Sequence, residues 1–270
     1  MIELTSAQLD AWLAAFMFPL ARLLGLFTAA PLLGSPILSA RVRLAAGLAV
    51  SMAVLPALPP IPHEIPTDSW MALGVLAHQV LIGMAIGFMV QLFFAAVDVA
   101  GEMIGLQMGL SFAVFFNPQT GGQTSVISEL LGLMRLLVFL ALDGHLMLIK
   151  VMVASFDWLP VGMNTQHDGW LFMVHHGSVM FASGVMLALP LVATLLITNI
   201  SLGVLTRAAP QLNLFAVGFP VTLSVGFATL LLSLTLIGPM FHHLFEHAFS
   251  AVDELMRQLS PVQNTGHDAA

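Results

Sequence analysis

The side chains most able to do chemistry in this sequence are its histidines. His243 and His247 are four apart, with His242 and Glu246 beside them. On a helix this spacing puts two imidazoles on one face, where they could hold a metal ion. A metalloprotease pattern would place Glu directly after the first His, whereas Glu246 directly precedes the second, so the group reads better as a polar helix end at a membrane interface. His175 and His176 are adjacent and point to different faces. His78 and His145 lie in or beside apolar segments and could ligate a haem between helices. A helix-borne His is more often a hydrogen-bonded packing residue, so neither a metal nor a cofactor is expected.

The carboxylates come next. Asp98 and Glu102 are four apart, and Glu129 and Asp143 lie near Arg135. A charge in lipid is costly and points to function by default. Two carboxylates on one helix face could share a proton and act as a relay. This is the basis of one reading, a self-contained proton-coupled transporter working through Asp98, Glu102 and Glu129. The same groups could instead face a water-filled passage or the arginine of a partner. The chain carries no engine of its own. Lys150 is its only lysine, and it has no phosphate-binding Gly-x-x-x-x-Gly-Lys-Ser/Thr loop, no Gly-x-Ser-x-Gly elbow and no His-Glu-x-x-His. No enzyme is expected, and energy would come from a partner or the membrane gradient.

Composition sets the class. The 270 residues are 59% hydrophobic and 8% charged, with a mean hydropathy of +0.97. A soluble domain carries about 25% charged residues, so this chain belongs in a membrane or a membrane-derived assembly. With seven Lys and Arg and a net charge of −7, it has no basic patch for nucleic acid. Without cysteine, disulfides and thiolate chemistry are excluded. The first ten residues hold Glu3 and Asp10 and no base, so they lack a signal-peptide n-region, and the first hydrophobic segment is expected to stay in place.

An all-α fold of about six membrane-associated hydrophobic segments follows. They begin with Leu9–Ala30, Leu44–Leu58 and Trp70–Val97, the last with a small-residue pair at Gly83 and Gly87. Val126–Lys150 is the fourth. Gly169–Thr206 and Ala208–Phe245 are 38 residues each and carry no formal charge apart from His. As a helix, each would be roughly 57 Å long, against a hydrocarbon core of about 30 Å. Each must bend, break or run beyond the bilayer, with Pro190, Pro210, Pro220 and Pro239 as expected break points. Arg41, Arg43 and Arg207 favour cytoplasmic loops and place both ends outside. Residues 1–250 read as one helical domain and 251–270 as a polar, mobile tail.

The most informative stretch is Gly101–Gly122. Gly101, Gly105 and Gly109 are four apart, a face on which another backbone can pack closely. Met108, Phe112, Phe115 and Phe116 follow, and Asn117-Pro118 and Gly121-Gly122 end the run. Such a loop could close a narrow passage, or it could be a buried hairpin turn. A second irregular stretch is Thr206–Pro220, where Arg207 is the only formal charge within Gly169–Phe245 and Pro210, Gln211 and Asn213 form a polar break.

These motifs carry a resemblance. Arg207-Ala208-Ala209-Pro210-Gln211-Leu212-Asn213 with Gly218-Phe219-Pro220 resembles the signature of the FliR family of flagellar export proteins. So do Gly105–Ala113 and the Pro31…Gly34…Pro36…Arg41-Val42-Arg43 pattern. The likeness covers about residues 5–250 and favours the flagellar over the virulence branch. It implies a core subunit of the type III export gate in the bacterial inner membrane, within the flagellar basal body. There the chain would join FliP and FliQ in a closed helical pore assembly, with FlhB associated and FlhA nearby. Unfolded flagellar export substrates would pass through, and membrane lipid would surround the base. The resemblance makes Leu106–Gly122 a plug-like constriction, with Met108, Phe112, Phe115 and Phe116 as pore-facing groups.

Overall fold

A computed structural model describes residues 6–34, 38–59, 69–110, 125–209, 211 and 214–261. It is all-α, as expected, with seven α-helices and no strand among the described residues. They are α1 (Ser6–Ala29), α2 (Ala40–Val54), α3 (Trp70–Gln107), α4 (Val126–Ala141), α5 (Gly144–Trp158), α6 (His167–Ala208) and α7 (Leu214–Leu259). A 3-10 turn, Leu55–Ala57, follows α2. Five of the helices are long and apolar enough to cross a membrane, and α4 with α5 could supply a sixth span.

Several boundaries differ from the sequence expectation. Pro190 lies inside α6 and Pro220 and Pro239 inside α7, and none of them ends its helix. A proline removes one ladder bond, whereas a true break in an apolar setting strands several backbone groups at several kcal/mol each. Pro210 lies outside the described residues. The fourth segment divides instead at Leu142-Asp143, where Asp143 adopts a left-handed φ of +54° and its carbonyl accepts from the Leu146 and Met147 amides that open α5. Residues 251–259 are not a mobile tail, because α7 runs through them. Val252, Leu255, Met256 and Leu259 repeat at helical spacing and are buried. The residues beyond Pro261 lie outside the described set.

The chain divides into two compact units. The first comprises 1–92, 143–176 and 246–270. Its backbones approach closely where α3 carries the expected small pair. A methyl at Gly87 would lie 2.7 Å from the Ala30 nitrogen, and one at Gly83 would overlap the Arg22 carbonyl. Phe18, Leu23, Leu26, Ile82, Ile86 and Met89 fill the interior. The connector before α6 is tied to the end of α7 by the Gln166 amide, which donates to the Leu259 carbonyl at 3.0 Å.

The second unit comprises 93–142 and 177–245. At its centre Phe94, Phe139 and Phe245 form an aromatic triad, each pair 5.2–5.3 Å apart between centroids. Gly184 of α6 lies on the Ala96 carbonyl of α3. Much of α6 and α7 is nonetheless uncovered, including Phe181, Met186, Ile197, Val204, Phe227 and Leu232. The hydroxyls of Thr194, Thr198 and Ser201 on α6 donate to carbonyls one turn back on the same helix. Those of Ser224, Thr229 and Ser233 on α7 do the same.

Candidate functional site at the end of the third helix

The site begins where α3 meets the start of α4, in the second unit. A methyl at Gly101 would overlap the Ser128 backbone, and one at Gly105 would lie 2.6 Å from the Ser125 side chain. Ser125 is the N-cap of α4, its hydroxyl accepting from the Ser128 amide at 3.1 Å. That hydroxyl also donates to the Gly101 carbonyl at 3.2 Å. The Ser128 hydroxyl donates to the Asp98 carbonyl at 3.2 Å. Glu102 accepts from the Ser125 amide at 2.9 Å. Two glycines and two serines therefore stitch the helices together, with Glu102 as part of the cap.

Asp98 and Glu102, neighbours on one helix face, have separate partners. Asp98 pairs with Arg135 of α4 at 2.7 Å, and Arg135 also donates to the Phe94 carbonyl and lies over the Phe94 ring. The arginine that meets Asp98 thus comes from the same chain.

The end of α3 explains Gly109. Its amide donates to the Leu106 carbonyl, and the Leu110 amide donates to the Gly105 carbonyl. With Gly109 at φ +78°, these bonds make a Schellman stop, which uses a left-handed residue just past the last helical one. Gly109 thus sits in the turn rather than on the helix face it would share with Gly101 and Gly105. Met108 is fully buried. A methyl on Gly226 of α7 would lie 2.7–2.9 Å from its Cε, Cγ and Sδ, so the thioether fills a notch that only glycine leaves. Within this chain Met108 is a packed side chain seated against Gly226. Phe112, Phe115 and Phe116 lie outside the described residues.

Arg207 is exposed in the last turn of α6, where a cation favours the helix dipole. Gln211 is exposed, and Pro210 and Asn213 lie outside the described residues. His242 and His243 line an open groove of about 330 Å³ with Val138, Leu142, Gly238 and Pro239. No group of three or more potential metal ligands occurs among the described residues. His78 hydrogen-bonds Thr165 at 3.2 Å, and Trp170 donates to the same hydroxyl at 3.1 Å.

Sequence reasoning passed over Arg22 of α1. It is fully buried in the first unit. Its guanidinium donates to Gln79 Oε1 at 2.8 Å, Ser155 Oγ at 2.9 Å and the Leu159 carbonyl at 2.7 Å, and it stacks 3.8 Å from the Phe156 ring centroid. Three neutral acceptors and a ring hold it, so one side chain joins α1, α3, α5 and the connector. The signal was available, since an arginine in one apolar window and a glutamine in another are expensive unless they meet.

Long apolar helices, an arginine buried among neutral acceptors and closely packed glycines define an integral membrane protein. Its sequence narrows the class further. Residues 13–248 match the family model of bacterial export proteins, family 1. The chain is 40% identical over 260 residues to the flagellar biosynthetic protein FliR of Escherichia coli, covering 96% of this chain and 99% of that protein. It is 40% identical to the FliR of Pectobacterium carotovorum, with 96% and 99% covered. It is 28% identical to the FliR of Bacillus subtilis, with 91% and 94% covered. The chain belongs to the FliR family of bacterial export proteins.

Proposed function

We propose that this chain is a core subunit of the flagellar type III protein export gate in the bacterial inner membrane. It works with FliP, FliQ and FlhB, with FlhA nearby, and unfolded flagellar subunits cross the pore that the assembly encloses. The stretch holding Phe112, Phe115 and Phe116 is the apolar plug of that pore, where soft side chains exclude water and ions at rest and repack around varied substrate sequences.

The observation that carries this reading is the uncovered face of α6. Within the second unit its exposed apolar side chains run from Val179 to Leu205, roughly 39 Å along the axis at 1.5 Å per residue. At an average tilt of about 20° this leaves roughly 37 Å to cover, against a hydrocarbon core of about 30 Å. An undeformed hydrocarbon core leaves the ends of that run uncovered, and water there would be costly. Helices of sister subunits can cover them, and the small positions Gly177 and Gly203, each open to space, allow a close approach.

The experiment is extraction in mild detergent and pull-down on a tagged chain. Co-purification of a discrete complex with the other gate subunits supports the reading. A chain that transports by itself in liposomes refutes it in favour of a proton-coupled carrier, for which Asp98 and Glu102, each already engaged, offer little. Deleting Phe112–Phe116 from an assembled gate should raise ion leak, and unchanged leak removes the plug role.

A further inference from the structure

The end of α3 is held more firmly than a helix end requires. The Schellman bonds at Leu106 and Gly105 already stop the helix. Met108, the residue just before the left-handed Gly109, is fully buried as well, and its whole thioether lies in the Gly226 notch of α7. On one side Gln107 Oε1 meets Asn199 Nδ2 of α6 at 3.5 Å. On the other, a methyl at Gly109 would meet the Phe219 ring of α7 at 3.4 Å. Met108 is therefore closely seated on α7, and its neighbours Gln107 and Gly109 lie beside residues of α6 and α7 in the same unit. A methionine with three rotatable side-chain bonds loses considerable rotamer freedom when buried this way, so the contact sets a position as well as filling space.

We propose that Met108 is a positioning residue of the export gate. Locked in the Gly226 notch, it fixes the point and direction in which the chain leaves α3, and it does not itself line the passage. This rests on the export-gate reading above. It predicts that the notch and the thioether are matched in volume, and that upsetting the match changes the resting seal rather than assembly.

The chain has no cysteine, so Met108→Cys introduces a single thiol. In the assembled complex this thiol should resist a membrane-impermeant maleimide and react fully after denaturation. Labelling in the resting complex overturns the proposal. In parallel, Gly226→Ala should raise resting ion leak by about tenfold at unchanged complex yield, as a packing clash shifts a two-state equilibrium. Adding Met108→Ala should return the leak toward the native level, because the new methyl then enters vacated space. An assembled Gly226→Ala gate with native leak overturns the proposal. If Gly226→Ala does not assemble, the labelling result decides. The deletion of Phe112–Phe116 is read separately. Native leak there refutes the plug, whereas Met108 protection depends only on the seat.

Discussion

A methyl group added at Gly87 tests the close packing of the first unit. It would lie 2.7 Å from the Ala30 nitrogen, 2.9 Å from the Leu26 carbonyl oxygen and 3.0 Å from the Ala29 carbonyl carbon. All three are backbone atoms and cannot swing aside. Against an ordinary contact of 3.4 Å, the nearest is short by about 0.7 Å, so α1 and α3 must separate along the seam. Overpacking of this kind costs about 1–3 kcal/mol. Gly→Ala inside a helix also gains roughly 0.8–1 kcal/mol of propensity, which would mask part of the loss. Gly74→Ala on the same helix supplies the control, because a methyl there meets nothing within 4 Å. The gap between the two variants isolates the clash. At roughly 2–4 °C per kcal/mol for a chain of this size, Gly87→Ala should melt about 2–12 °C below Gly74→Ala. The assay is thermal stability of the detergent-purified chain, read by size-exclusion recovery after heating. Equal melting of the two variants would refute the close packing of α1 on α3.

Other perturbations have equally definite outcomes. Ser125→Ala removes the cap of α4 and the bond to the Gly101 carbonyl, so it should cost about 1–2 kcal/mol and expose the α3–α4 junction to protease. Arg22→Lys cannot satisfy Gln79, Ser155 and Leu159 from one planar fork, so its folded yield should fall well below that of Lys150→Arg at an exposed site. Asp98→Asn breaks an ion pair whose carboxylate is 43% exposed. It should leave complex yield near native, since exposed pairs are worth about 0–1 kcal/mol, and loss of export at full yield would instead assign Asp98 a proton-carrying role.

Class and seams were legible from the sequence because they follow from composition and short-range spacing. Too few charges for a soluble surface gave a membrane chain, and Gly83 with Gly87 marked a close approach. Helix ends were harder. Prolines in α6 and α7 looked like breaks, but an apolar environment holds the rest of the ladder together, so length won over local propensity. The real break, at Leu142-Asp143 just before Gly144, carried an Asp-Gly turn signal hidden among apolar neighbours. At the site, spacing alone put Gly101, Gly105 and Gly109 on one face, and only backbone dihedrals separate the two packing glycines from the one that stops the helix. Met108 and Gly226 are 118 positions apart, and Arg22 meets Ser155 across 133. Pairings that distant depend on topology, which no local pattern encodes.

The way the α6 and α7 hydroxyls turn back on their own helices has a consequence for biogenesis. A flank whose polar groups are already satisfied makes no hydrogen-bonding demand on its surroundings. Acyl chains can therefore shelter much of a newly inserted copy without stranding a donor, and neighbouring subunits can later displace those chains without breaking a polar contact. In the assembly proposed above, an approaching helix would then be selected by shape rather than by hydrogen bonding.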